Sequence, residues 1–130
     1  MNSTPKIAPL RILLVDDDPL ILRAVCVALE NDGHRVTAAV GGQAGIDAFM
    51  SALDTEPFPV VITDLGMPQV DGRQVSAAIK AAAPATYILL LTGRVHGSAD
   101  EHDLLSNIDA ELGKPPTLRT LREALGRVRR

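Results

Sequence analysis

The chain has 130 residues, 46% of them hydrophobic and 22% charged, with a formal net charge of −3. This length suits one domain with a sizeable core, and the slight acidity gives no electrostatic footing for direct nucleic-acid binding. With no Trp, one Tyr and two Phe, base-stacking platforms are excluded too, while a single cysteine, Cys26, excludes a disulfide framework and points to a reducing, cytoplasmic setting.

No apolar run approaches the length of a membrane span, and the first residues lack the apolar core of a signal peptide. Residues 1–9 are polar with two prolines and read as a flexible leader or linker. The domain is expected over residues 10–130.

Leu10 to Val15 is an apolar run broken only by Arg11, short enough for a buried strand. It runs into Asp16-Asp17-Asp18-Pro19. Pro19 suits the first turn of a helix and Asp18 its N-cap. The helix should run to about Asn31, with Leu20, Ile21, Ala24, Val25, Ala28 and Leu29 at helical spacing and Gly33 as breaker. Cys26, among apolar neighbours, reads as a small core residue. Asp18 thus has a structural task; Asp16 and Asp17 have none.

His34 to Val40 alternates weakly and is expected as a second strand. A helix follows from about Gln43 to Leu53, with Ala44, Ala48, Phe49 and Ala52 on one face. After a loop with two prolines, Phe58 to Thr63 forms a third strand that leads to Asp64. A helix from about Gly72 to Ala83 carries Val75, Ala78, Ile79 and Ala82 inward, and Pro84 stops it. Tyr87 to Leu91 is the most strand-like run of the chain and ends at Thr92-Gly93.

Arg94 to Asn107 is polar and is expected as a short or frayed helix. His96 and His102 in it have the wrong spacing for one helical face and do not form a metal site. Ile108 to Leu112 should be a fifth strand, followed by Gly113-Lys114-Pro115-Pro116. The last helix, from about Thr117 as its cap, has Leu118, Leu121, Leu125 and Val128 as its apolar stripe. Its Arg119, Arg122, Arg127, Arg129 and Arg130 read as a solvated basic face.

Strands and helices alternate with short connections, which calls for an α/β doubly wound sheet of five parallel strands with right-handed crossovers, a (βα)5 chain. In such a sheet the carboxyl ends of the strands share one edge, where ligands bind. That edge would gather Asp16, Asp17, Asp64, Thr92 and Lys114. Asp64 alone could be a loop cap; convergence with the others favours a functional site. At 4 Å and an effective dielectric near 20, each carboxylate pair costs about 4 kcal/mol. A hard divalent cation relieves that repulsion, and oxygen ligands of this kind suit Mg2+. An ammonium and a hydroxyl beside it could stabilise charge on a transferring phosphoryl group, with a carboxylate as nucleophile.

The motifs Val15-Asp16-Asp17-Asp18-Pro19, Thr63-Asp64-Leu65-Gly66-Met67-Pro68 with Val70-Asp71-Gly72, Leu91-Thr92-Gly93 and Lys114-Pro115 resemble the receiver domain of two-component response regulators. The resemblance implies a flavodoxin-like strand order 2-1-3-4-5. It implies Asp64 as phosphoacceptor, with Asp16, Asp17, Asp64 and the backbone carbonyl of Gly66 around Mg2+. Thr92 would bond a phosphoryl oxygen and rotate inward, and Lys114 would ion-pair with the phosphoryl group before a cis peptide to Pro115. The donor would be a phosphohistidine on a sensor histidine kinase or a histidine phosphotransfer protein, docked mainly against the first helix. On this reading the domain is a phosphoacceptor and not an enzyme acting on other substrates.

Three departures from the family pattern stand out. Glu111 occupies the position of the usual aromatic switch residue, Pro116 stands where a Phe is common, and Arg94 to Asn107 is unusually polar. They put the usual output face in question and favour a monomer. The wording around Thr92 and Lys114 is similar to receivers at the C-terminal end of hybrid sensor kinases. Gly66 leaves one side of the site open, and Arg94 could cover it and tune loss of the phosphoryl group. Two other readings remain: a non-phosphorylated pseudo-receiver acting as an interaction module, and a haloacid-dehalogenase-like phosphatase in which Asp16 and Asp18 would act and Asp64 would have no role.

Overall fold

In the computed structural model, residues 7–93 and 106–128 are described. The strands are β1 (Arg11–Asp16), β2 (Arg35–Val40), β3 (Val60–Asp64), β4 (Tyr87–Thr92) and β5 (Ala110–Gly113); the helices are α1 (Pro19–Asn31), α2 (Gly42–Ala52), α3 (Gly72–Ala82) and α4 (Leu118–Leu125). All neighbouring strands are parallel, in the order β2-β1-β3-β4-β5. This is the flavodoxin-like arrangement, with its four described helices split between the two faces of the sheet. The helix expected within Arg94 to Asn107 falls largely outside the described residues, as do His96 and His102.

Period-2 side chains divide the core in two. Ile12, Leu14, Ile62, Leu89 and Leu91 point to one face, where Leu22, Val25 and Leu29 of α1 and Leu121, Ala124 and Leu125 of α4 cover them. Leu13, Val15, Val61 and Ile88 point to the other, under Phe49 and Ala52 of α2 and Val75 and Ile79 of α3. β1 and β3 are buried on both faces, as parallel strands between helix layers are. Each fully buried aliphatic side chain there contributes about 1.5–3 kcal/mol. Cys26 is partly buried against the first cluster, in the packing role expected, and burial raises its thiol pKa.

Asp18, Gly33 and Thr117 end their helices where the sequence puts them, and Asp71 adds a cap not foreseen from it. Asp18 accepts the Leu20 N–H at 2.9 Å and opens α1 with Pro19 in the first turn. Asp71 and Gln74 form a reciprocal box at α3, and Thr117 and Thr120 do so at α4. Gly33, at φ +97°, turns the chain out of α1.

Several inward faces differ from expectation. Leu20 is 78% exposed, and Leu22 takes the core position instead. Nearly every side of α1 carries an apolar residue, so spacing alone does not fix the phase of its buried stripe; the sheet selects Leu22, Val25 and Leu29, one every three or four residues. Ala44 and Ala82 are exposed, while Gly42, Gly45 and Ser76 face inward. Leu118 lies at the rim of α4 and Ala124 replaces it in the stripe. β5 begins at Ala110, two residues later than expected, because the Asp109 carboxylate takes the Ile88 N–H at 2.8 Å in place of a ladder carbonyl. The basic face of α4 is not wholly solvated: Arg122 turns inward and forms a two-pronged pair with Asp32, at 2.9 and 2.6 Å.

Candidate acidic site at the carboxyl edge of the sheet

β1 and β3 are adjacent, and each ends in a carboxylate: Asp16 and Asp64, both buried. Asp17, the next residue, is exposed. One carboxylate oxygen from each of Asp16, Asp17 and Asp64 can be chosen so that all lie within 4.8 Å of one another. Lys114, one residue past the end of β5, reaches across the sheet edge. Its Nζ lies 3.2 Å from Asp16 Oδ2 and 3.2 Å from Asp64 Oδ2.

The backbone holds this arrangement rigidly. Asp16 Oδ1 accepts the Asp18 N–H at 3.0 Å, and the Asp16 carbonyl accepts the Gly41 N–H at 2.9 Å. Past Asp64, the Leu65 N–H bonds the Leu91 carbonyl at 3.0 Å, and the Gly72 N–H bonds the Leu65 carbonyl at 2.8 Å. A Cβ on Gly72 would lie 2.4 Å from the Asp64 carbonyl oxygen, so α3 can start this close to the carboxylate only with glycine there. Lys114 is fixed by its own N–H, which donates to the Thr92 carbonyl at 2.9 Å, and is followed by a cis peptide to Pro115.

The pKa shifts follow from this crowding. Burial, and next the Asp16 charge, push the Asp64 carboxyl above the usual carboxylate range, against the pull of Lys114. Burial alone would lower the Lys114 pKa, but pairing with Asp16 and Asp64 outweighs it and holds the ammonium above its ordinary value. Among the described residues, three carboxylates against one ammonium leave an excess of negative charge. Asp16 Oδ2, moreover, is buried, and its contact among the described residues is the Lys114 ammonium, which it shares with Asp64. A buried carboxylate oxygen in that state, with two more acidic side chains beside it, fits a hard divalent cation such as Mg2+.

The other residues named from sequence fall around this centre. Thr92 is buried at the end of β4, one residue past Leu91, which lies in register with Asp64. Gly66 is exposed two residues after Asp64, with open space where a side chain would stand. Glu111 is exposed on β5, in register with Leu90. Arg94 lies outside the described residues. Asp18 caps α1 through its Oδ1, which accepts the Leu20 N–H.

Family comparison agrees with this geometry. Residues 12–126 match the model of the response regulator receiver domain. The chain belongs to the receiver domain family. Among its relatives, this receiver is 37% identical over 90 residues to the transcriptional regulatory protein GlrR of Escherichia coli, covering 69% of this chain and 19% of GlrR. It is 34% identical over 120 residues to the sensor histidine kinase GacS of Pseudomonas protegens, covering 88% of this chain and 13% of GacS. The chain thus spans a fifth or less of the length of either relative. Among solved structures, it superposes on the response regulator TrrA of Thermotoga maritima, crystallised with Mg(2+)-BeF, with a TM-score of 0.80, 27% identity and coverage of 92% of this chain and 98% of that one.

Sequence reasoning did not single out Gly42, Gly45 or the Asp32–Arg122 pair. Gly45 did leave a signal: a glycine inside a helix weakens it, and so calls for a packing reason. The ion pair joins residues ninety apart and leaves no local trace.

Proposed function

We propose that this receiver accepts a phosphoryl group on Asp64 in a Mg2+-dependent phosphorelay. A carboxylate oxygen of Asp64 attacks phosphorus of a phosphohistidine on a sensor histidine kinase or histidine phosphotransfer protein. The P–N bond breaks as the O–P bond forms, and its electron pair returns to the imidazole, which takes up a proton. Asp16, Asp17, Asp64 and the Gly66 carbonyl hold Mg2+, which when bound neutralises oxygen charge on the transferring group. Lys114 shifts its ammonium from the carboxylates to the phosphoryl oxygens, and the Thr92 hydroxyl donates to one of them. The observation that carries this reading is the Lys114 ammonium at 3.2 Å from both buried carboxylates, with the Asp17 carboxylate grouped beside them.

The domain acts on no substrate beyond its own phosphorylation and slow dephosphorylation, works as a cytoplasmic monomer and does not contact nucleic acid itself. Glu111 in place of an aromatic residue means that the signal is not read through a coupled threonine–aromatic switch. Arg94, two residues after Thr92, hinders or orients the attacking water, and Arg94→Ala changes the autodephosphorylation rate; equal rates of phosphate loss contradict that role. Titration with beryllofluoride in the presence of Mg2+ tests the whole reading. Saturable binding that Asp64→Asn abolishes supports it. A protein that binds neither is a pseudo-receiver, and turnover of a phosphate ester dependent on Asp16 but not Asp64 marks a phosphatase.

A further inference from the structure

α2 contributes no carboxylate to the acidic pocket. Its first turn nevertheless sits between the two backbone segments that carry the ligands. On one side, the Gly41 N–H bonds the Asp16 carbonyl at 2.9 Å, and a Cβ on Gly45 would lie 2.6 Å from Val15 Cγ2 and 2.8 Å from Val15 Cγ1. Val15 directly precedes Asp16. On the other side, a Cβ on Gly42 would lie 2.2 Å from the Val70 carbonyl oxygen and 2.8 Å from Val70 Cγ1. Val70 belongs to the loop of residues 65–71 that contains Gly66. Gly42 and Gly45 are one turn apart and both buried, so a single face of α2 touches both walls of the pocket.

Glycine is the least favourable ordinary residue in a helix interior, roughly 1 kcal/mol worse than alanine. Gly42 opens α2, but Gly45 lies inside it and needs a compensating reason. The close approach supplies it. The two contacts also differ in kind. At Gly45 the obstacle is a valine side chain, which can be trimmed. At Gly42 the nearest obstacle is a main-chain carbonyl, which can give way only if the loop moves.

We propose that Gly42 and Gly45 are positioning residues for the divalent-cation site, setting the separation between the Asp16–Asp17 wall and the Gly66 wall by the closeness with which α2 packs. This rests on the reading of the pocket as a Mg2+ site. A methyl group at position 42 displaces the loop and with it the Gly66 carbonyl. A methyl group at position 45 displaces the end of β1 and the acidic pair.

The test is Mg2+ binding to the folded full chain by isothermal titration calorimetry, alongside thermal melting. Gly42→Ala is expected to weaken Mg2+ binding by about tenfold or more, the scale found for residues that orient ligands. Gly45→Ala should weaken it too, and adding Val15→Ala should restore most of the loss. Ala44→Gly on the exposed side of α2 weakens the helix without approaching the pocket, so it should lower the melting temperature and leave the Mg2+ affinity unchanged. If Gly42→Ala does not fold, the Gly45→Ala and Val15→Ala pair decides alone. Glycine variants that fold and bind Mg2+ as the parent does overturn the positioning role, as does equal weakening by Ala44→Gly. A parent protein that takes up no Mg2+ overturns the underlying reading of the pocket instead.

Discussion

Asp64 and Asp16 are buried side by side with the Lys114 ammonium bridging them. Removing the Asp64 charge by Asp64→Asn relieves repulsion that at full strength would reach about 4 kcal/mol, so after screening a gain of about 1 kcal/mol in the metal-free protein at neutral pH is expected. The pH dependence has a definite sign. Because the folded-state pKa of Asp64 is raised, ionising it costs stability. That cost is fully present above the folded pKa and disappears as pH falls toward the ordinary carboxylate value. Melting curves of the two proteins should therefore converge on acidification, and Mg2+ should stabilise the parent more than the variant. Lys114→Met has the opposite sign: it leaves two buried carboxylates without their cation and should cost about 2 kcal/mol or more at neutral pH, a loss that added Mg2+ partly reverses. At this scale the residues were legible because charged side chains at the ends of apolar strands have no packing reason to be there. What the residues alone left open was whether Asp64 was a loop cap. Its own Oδ2 contact with Lys114 now accounts for the carboxylate.

Among the elements, α1 and α4 show where pattern reading stops. Both start beside the pocket, one after Asp18 and the other after Thr117, and both pack on the same face of the sheet. Their ends were readable from Pro19, Gly33 and Thr117. The stripe of α4 was largely readable too, since Leu121, Leu125 and Val128 pack in the core, but that of α1 was not, because Leu20, Ile21, Leu22, Val25 and Val27 satisfy more than one helical phase. The Arg122–Asp32 pair ties α4 to the C-cap of α1, with the Asp32 side chain only 3% exposed. Arg119 on the same helix meets Glu123 at 3.8 Å with both side chains in solvent. Arg122→Ala should therefore lower the melting temperature by a few degrees more than Arg119→Ala, since an exposed i,i+4 pair contributes little while a buried carboxylate left alone is costly. Equal shifts in thermal denaturation would show that the inward pair is not needed to hold the two helices together.

For the molecule as a whole, alternation of apolar strands and amphipathic helices was enough to imply a parallel sheet, and the sheet carries residues 16, 64 and 114 to one edge. The order of strands came from the family motifs and agrees with the pairing of β1 with both β2 and β3. The closeness of α2 to the pocket walls lay beyond pattern reading, because it depends on how far two backbones approach, and glycine marks such an approach without naming its partner. The central claim is that the convergent edge makes Asp64 a phosphoacceptor. The most direct measurement is intact-mass analysis of the protein after incubation with a small-molecule phosphodonor, with and without Mg2+, for the parent and Asp64→Asn. One hydroxylamine-labile phosphoryl group is expected on the parent, dependent on Mg2+ and absent from the variant. A parent that stays unmodified, or a variant that is modified to the same extent, would contradict it.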